Sequence, residues 1–139
     1  MGGSLSRAPD TRDPSPAEIA FAAGLTALRA DRPAEAASSF ARAADLGEPG
    51  LAEDAAFWNA VALGRSGQPL EARAAFASFL LAHPASPHVG EASVALGWLE
   101  LDSGHVDEAA ARFRAALADP SARIRASAER GLEAVARRQ

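Results

Sequence analysis

Apolar residues recur along this chain at helical spacing, in short segments separated by polar breaks. From 17 to 30, Ile19, Ala20, Ala23, Gly24, Ala27 and Leu28 share one face and predict a first helix. Pro16 stands where a helix can begin, with Glu18 in the first turn where the helix dipole favours a carboxylate. Asp31-Arg32-Pro33 ends that helix and opens a second, which runs to about Asp45 with Ala36, Phe40 and Ala43 inward. Gly47-Glu48-Pro49-Gly50 stops it. The same plan then repeats. Helices are expected at about Glu53–Ser66 and Pro69–Ala82, then at Val89–Asp102 and Val106–Ala118. Breaks fall at Gly67-Gln68-Pro69, His83-Pro84-Ala85-Ser86-Pro87, Ser103-Gly104 and Asp119-Pro120-Ser121. A last helix, about Ala122–Arg137, carries Ile124, Ala128, Leu132 and Val135 along one stripe.

The repetition extends to individual residues. Gln68-Pro69-Leu70-Glu71-Ala72-Arg73-Ala74-Ala75-Phe76 has one counterpart in 32–40 and another in 105–113. Its phenylalanines, Phe40, Phe76 and Phe113, stand 36 and 37 positions apart. A period of this size marks a repeat architecture, in which each unit buries its apolar face only by stacking on a neighbour. The recurring pattern is a small residue, a turn, an alanine and a phenylalanine. Gly24, Ala60, Gly97 and Gly131 hold the small position. Asp31, Gly67 and Gly104 hold the turn, and Ala36, Ala72 and Ala109 the alanine. A small residue in mid-helix lets a partner backbone come close, which offsets the propensity cost of glycine.

This order resembles the tetratricopeptide repeat, and the likeness covers about residues 17–138. It implies an all-α helical-hairpin solenoid, a right-handed superhelix of three hairpins plus a C-terminal capping helix. The repeats fall at about 17–50, 53–86 and 90–123, with the cap at 124–138. A finer resemblance runs from Glu71 to Gly97 through Phe76, Phe79-Leu80, His83-Pro84, Ser86-Pro87, Glu91-Ala92 and Leu96-Gly97, with Phe57-Trp58 as an aromatic pair. It is similar to repeats of bacterial envelope proteins, the Tol–Pal-associated coordinator and the outer-membrane assembly lipoproteins. The coordinator's trimerising coiled coil has no counterpart, since no heptads precede the repeats.

Composition narrows the function. Alanine rather than large aliphatics drives the 48% hydrophobic content, which suits closely packed helices. The absence of cysteine excludes disulfides, thiolate metal sites and a thiol nucleophile. A net charge of −4 argues against generic nucleic-acid or anionic-membrane binding, and no apolar run approaches the ~20 residues that span a bilayer. Residues 1–16, rich in Gly, Ser, Pro, Asp and Arg, are expected to form a flexible leader. The start matches the loose myristoylation pattern, which is permissive. Met1-Gly2-Gly3-Ser4 resembles an added leader, so the expected compartment is the periplasm if a signal has been removed and the cytoplasm otherwise.

No residue pattern points to catalysis. His83, His88 and His105 sit in breaks, without the paired spacing of a metal site, and are read as loop residues. Glu35, Glu71 and Glu108 recur once per repeat at helix starts, which the helix dipole explains. From 123 onward five arginines outnumber two glutamates. The reading favoured here is a solvated capping helix. No cofactor or metal is expected.

The family likeness instead directs attention to the first helix of each hairpin, which lines the concave surface. Its groove positions fall on Phe21, Leu25, Phe57, Val61, Arg65, Val94, Trp98, Leu101 and Leu132. These are mostly apolar, unlike the Lys, Arg and Asn of the carboxylate clamp in some relatives. The expected function is a protein-interaction scaffold that takes a partner's peptide or helix, anchored on Trp98 and Phe57. Packing of these aromatics between hairpins is the structural alternative, and Trp58 fits core and groove alike. The functional alternative is self-association into homo-oligomers.

Overall fold

The computed structural model describes residues 12–139 and is helical throughout its regular structure. Seven helices follow in order: α1 (Pro16–Arg29), α2 (Pro33–Leu46), α3 (Ala52–Arg65), α4 (Pro69–Ala82), α5 (Val89–Asp102), α6 (Val106–Ala116) and α7 (Ala122–Arg138). Each packs on its neighbours in sequence, and α7 also reaches back to α5. The result is the expected helical-hairpin solenoid, with α1–α2, α3–α4 and α5–α6 as hairpins and α7 against the last. The boundaries match the apolar pattern, except that α6 stops at Ala116, two residues early.

The leader expected at 1–16 lies mostly outside the described residues, as does the myristoylation pattern. Two of its members, however, are engaged with α1. The Ser15 hydroxyl accepts from the Glu18 backbone N–H at 3.0 Å, and the Glu18 carboxylate accepts from the Ser15 N–H at 2.7 Å. This reciprocal capping box satisfies two N–H groups that a helix start leaves bare. Arg12 donates through both terminal nitrogens to the same carboxylate, at 3.0 Å each. These bonds, first that from Arg12 and then that from the Ser15 N–H, hold the Glu18 pKa down at about 2 against an ordinary 4.5.

Within each hairpin the turn is built in the same way. The residue closing the first helix adopts a left-handed backbone, with φ of 59° at Asp31, 76° at Gly67 and 84° at Gly104. Its N–H bonds back three residues, and the next N–H bonds back five: Asp31 to Leu28 and Arg32 to Ala27, then Gly67 to Gly64 and Gln68 to Leu63, then Gly104 to Leu101 and His105 to Glu100. This is the Schellman pattern, which satisfies helix-end carbonyls and turns the chain in three residues. Asp31 takes the left-handed position in the first hairpin, a conformation that Asp tolerates better than most side chains.

The small positions are where rings meet backbone. A Cβ on Gly24 would lie 2.6 Å from the Phe40 ring, and one on Gly97 2.7 Å from the Phe113 ring. A Cβ on Gly131 would lie 2.4 Å from that same Phe113 ring. Phe113 is therefore clamped between α5 and α7, and both Phe40 and Phe113 are wholly buried. The core divides into clusters. Phe21 and Trp58 link those of the first two hairpins, whereas the cluster around Phe113 shares no residue with the one around Phe57 and Phe76.

The hairpins are not evenly spaced. α5 and α7 touch directly, but among the described residues α3 and α5 do not pack closely on each other. α1 and α3 likewise do not pack closely on each other. Ala43 and Ala116 occupy one position in the first and third units, and Phe79 occupies it in the second. Phe79 is buried, its ring 5.7 Å from that of Phe57 on α3 and 6.4 Å from that of His88.

Candidate functional site

The gap between α3 and α5 is an open cleft of about 370 Å³. α3 contributes Phe57, Val61, Gly64 and Arg65, and α5 contributes Glu91, Ala95, Trp98, Leu99 and Asp102. Phe76 of α4 closes the bottom. The lining is chiefly apolar, and its charges, Arg65, Glu91 and Asp102, stand exposed at the rim. Glu91 lies 3.9 Å from Arg123 of α7, whereas Asp102 has no ionic partner among the described residues.

Trp98 is the large adaptable wall. It is half-buried, with one edge held against the Phe113 ring at 5.2 Å and 68°. Since Gly97 and Gly131 clamp Phe113, the tryptophan rests on an immobile support. Phe57 has a different role from the projecting anchor expected of it. It is 1% exposed and forms the floor. Its ring stacks on His88 at 4.1 Å and 5°, meets Phe76 edge-on at 6.3 Å, and touches Trp58 at 5.4 Å. The His88 Nε2 lies 3.0 Å from Asp54 Oδ1, so the imidazole is tied to α3 at both its face and its edge. Offset and edge-on ring pairs of this kind add stability beyond the area they bury.

Of the nine residues expected to line a groove, Phe57, Val61, Arg65 and Trp98 converge on this cleft. The other five do not. Phe21 and Leu25 of α1 pack on the first hairpin's core, with the Phe21 ring 5.3 Å from Phe40. Val94 and Leu101 are core residues of the third hairpin, 8% and 2% exposed. Leu132, also assigned to the groove, packs on that same cluster from α7. The repeat register gives a residue's angle around its helix, but the neighbouring helix decides whether that angle is open. Here α7 closes over the face of α5 that the register leaves bare. Trp58 bridges the first two hairpins, 6.4 Å from Phe40, and is a packing residue.

The cleft also contains residues that the register missed: Glu91, Ala95, Leu99 and Asp102. Glu91, Ala95, Trp98 and Asp102 stand at i, i+4, i+7 and i+11, one stripe of a helix. That spacing was available in the sequence once Trp98 was placed.

The remaining polar residues serve the scaffold. His83 Nδ1 lies 3.6 Å from Glu53 Oε1, so both histidines of the break are tied to carboxylates at the start of α3. Among the described residues, no group of three or more His, Cys, Asp or Glu side chains comes together as a metal site would require. Arg125 donates to the carbonyls of Asp119 and Pro120 at 2.8 Å each, and Arg138 to that of Leu101 at 3.0 Å. Arg125 thus closes the break that leads into α7, and Arg138 ties the end of α7 to α5. No described helix is long and apolar enough to cross a membrane. In comparisons with known proteins, neither a family model nor a curated sequence matches the chain.

Proposed function

We propose that this chain is a protein-interaction module of tetratricopeptide type, without chemistry of its own, and that the α3–α5 cleft receives its partner. The observation that carries this reading is the cleft itself, apolar within, charged at the rim and backed by a supported tryptophan. Such a surface suits a partner segment with one bulky apolar side chain, inserted between Val61 and Trp98 over the Phe57 floor. The rim adds a charge preference. Asp102 has no ionic partner among the described residues and Glu91 is held only loosely by Arg123, so the α5 side favours a basic residue beside the apolar one. Arg65 across the cleft favours an acidic residue on the segment's other side. An amphipathic helix or an extended strand of this composition meets both demands. The likeness of Glu71–Gly97 to repeats of bacterial envelope proteins supports an envelope setting for the partner.

Panning a displayed random-peptide library against the intact chain tests the proposal. The expected binders carry a large apolar residue beside a basic one. Trp98→Ala should weaken their binding while far-UV circular dichroism stays unchanged, and Asp102→Asn should weaken it more at low salt than at high salt. Binders that hold Trp98→Ala as tightly as the parent would refute the assignment of the cleft.

A further inference from the structure

α4 carries a second unpartnered surface, on the side away from Phe76 and Phe79. Leu70 is 65% exposed and Leu81 is 85% exposed. Ala74, exposed, and Ala77, partly buried against the Phe57–Phe76 cluster, lie between them on the same stripe, at successive spacings of 4, 3 and 4 residues, the alternation of a helix–helix seam. From Ala74 to Ala82 the helix carries no charge at all. The corresponding helices of the other two units differ. At the same four positions α2 has Ala34, Ser38, Ala41 and Asp45, and the third unit has Asp107, Ala111, Arg114 and Ala118. The repeat does not require an apolar face here. Only the middle unit has one.

We infer that this face of α4 pairs with α4 of a second copy of the chain, antiparallel across a two-fold axis. The argument lies in the order of the residues. Leu70-x3-Ala74-x2-Ala77-x3-Leu81 reads the same in both directions about the midpoint between 75 and 76. A two-fold interface presents one patch to itself, so it requires such self-complementarity. In this register Leu70 meets the partner's Leu81 at both ends, and Ala74 meets the partner's Ala77 in the middle, where small side chains let the helices approach. The antiparallel arrangement also sets the positive end of each helix dipole beside the negative end of the other. The surface is distinct from the cleft, so a dimer would present two clefts for a partner.

One helix pair buries less than the ~800 Å² per partner of a standard interface, so the dimer is expected to be weak and concentration-dependent. Sedimentation equilibrium up to millimolar protein reads it directly. Leu81→Glu and Leu70→Lys should each raise the dissociation constant at least about 30-fold, because every substitution removes two buried leucines from the dimer. Both positions are exposed, so the variants should keep their helical content, with a loss of stability limited to the charge placed against the helix dipole at each end of α4. The double variant, Leu70→Lys with Leu81→Glu, should recover association, because the antiparallel register sets each new lysine against the partner's new glutamate. Trp98→Ala should leave the dimer intact. A monomer at every concentration overturns the inference, as does a dimer indifferent to Leu81→Glu. A double variant no better than the single ones overturns the register, and a dimer lost in Trp98→Ala assigns self-association to the cleft instead.

Discussion

Glycine to alanine at three helical positions tests the packing scheme, because the same substitution should change sign with location. Alanine is favoured over glycine in a helix by about 1 kcal/mol. At Gly64, exposed on the cleft side of α3, an added Cβ would find only the Ala72 Cβ at 4.0 Å. Gly64→Ala should therefore stabilise by up to about 1 kcal/mol. At Gly131 the new methyl would lie 2.4 Å from two carbons of the Phe113 ring. The ring cannot slide away, since Gly97 leaves only 2.7 Å on its other side. Forcing a methyl into a packed core costs about 1–3 kcal/mol, and the upper half of that range applies to a ring held on both faces. Set against the propensity gain, Gly131→Ala should lose about 1–2 kcal/mol, and Gly97→Ala a similar amount. Urea unfolding followed by circular dichroism measures both. With an unchanged m-value, the Gly64 and Gly131 variants should differ by about 2–3 kcal/mol. Adding Phe113→Leu to Gly131→Ala should relieve the clash, so the double variant should be more stable than the two single losses summed. If Gly131→Ala stabilised the chain as Gly64→Ala does, the ring would not lie against that backbone and the docking of α7 would be wrong.

Two further outcomes follow from the polar residues. Glu100 is buried, its Oε1 has no hydrogen-bond partner, and Arg112 Nε stands 3.4 Å away. Leu63 holds the same place in the second unit, so Glu100→Leu should be neutral or stabilising by about 1–2 kcal/mol. Arg112→Ala, which strands the carboxylate, should destabilise, and thermal melting of the pair shows the opposite signs. Glu18, with its pKa lowered to about 2, gives α1 a contribution fully present above about 4.5 and lost as pH falls towards 2. A carbon-detected NMR titration should place its midpoint near 2, and Arg12→Ala should move that midpoint up; an unmoved midpoint would remove Arg12 from the cap.

Much of the scaffold was legible because its punctuation is local. Pro16, Pro33 and Pro69 stand at helix starts, and Asp31, Gly67 and Gly104 mark the left-handed turns, so short stretches of sequence sufficed to place the helices. The cleft was half legible. Phe57, Val61, Arg65 and Trp98 shared a register and a site, but Val94 and Leu101 shared only the register. Their burial depends on α7, some thirty residues downstream, and no periodicity within α5 reveals which of its faces a later helix will cover. The stacking of His88 on Phe57 is likewise a contact between residues far apart in sequence, with nothing in either neighbourhood to announce it.

α5 takes part in two cores at once. Ala92, Leu96 and, beside them, Ala95 and Leu99 pack into the cluster of Phe57 and Phe76, while Val94, Leu101 and Trp98 pack into that of Phe113. The two clusters have no residue in common, so this helix is the joint between two otherwise separate cooperative blocks. In a linear array, the free energy of such a joint sets whether the chain opens all at once or in halves. Amide exchange should thus report one protection level for the first two hairpins and another for α6 and α7, with α5 following whichever block releases it last. The wall that holds Trp98 against the cleft is then also the element through which anything seated there would be felt at the C-terminal end.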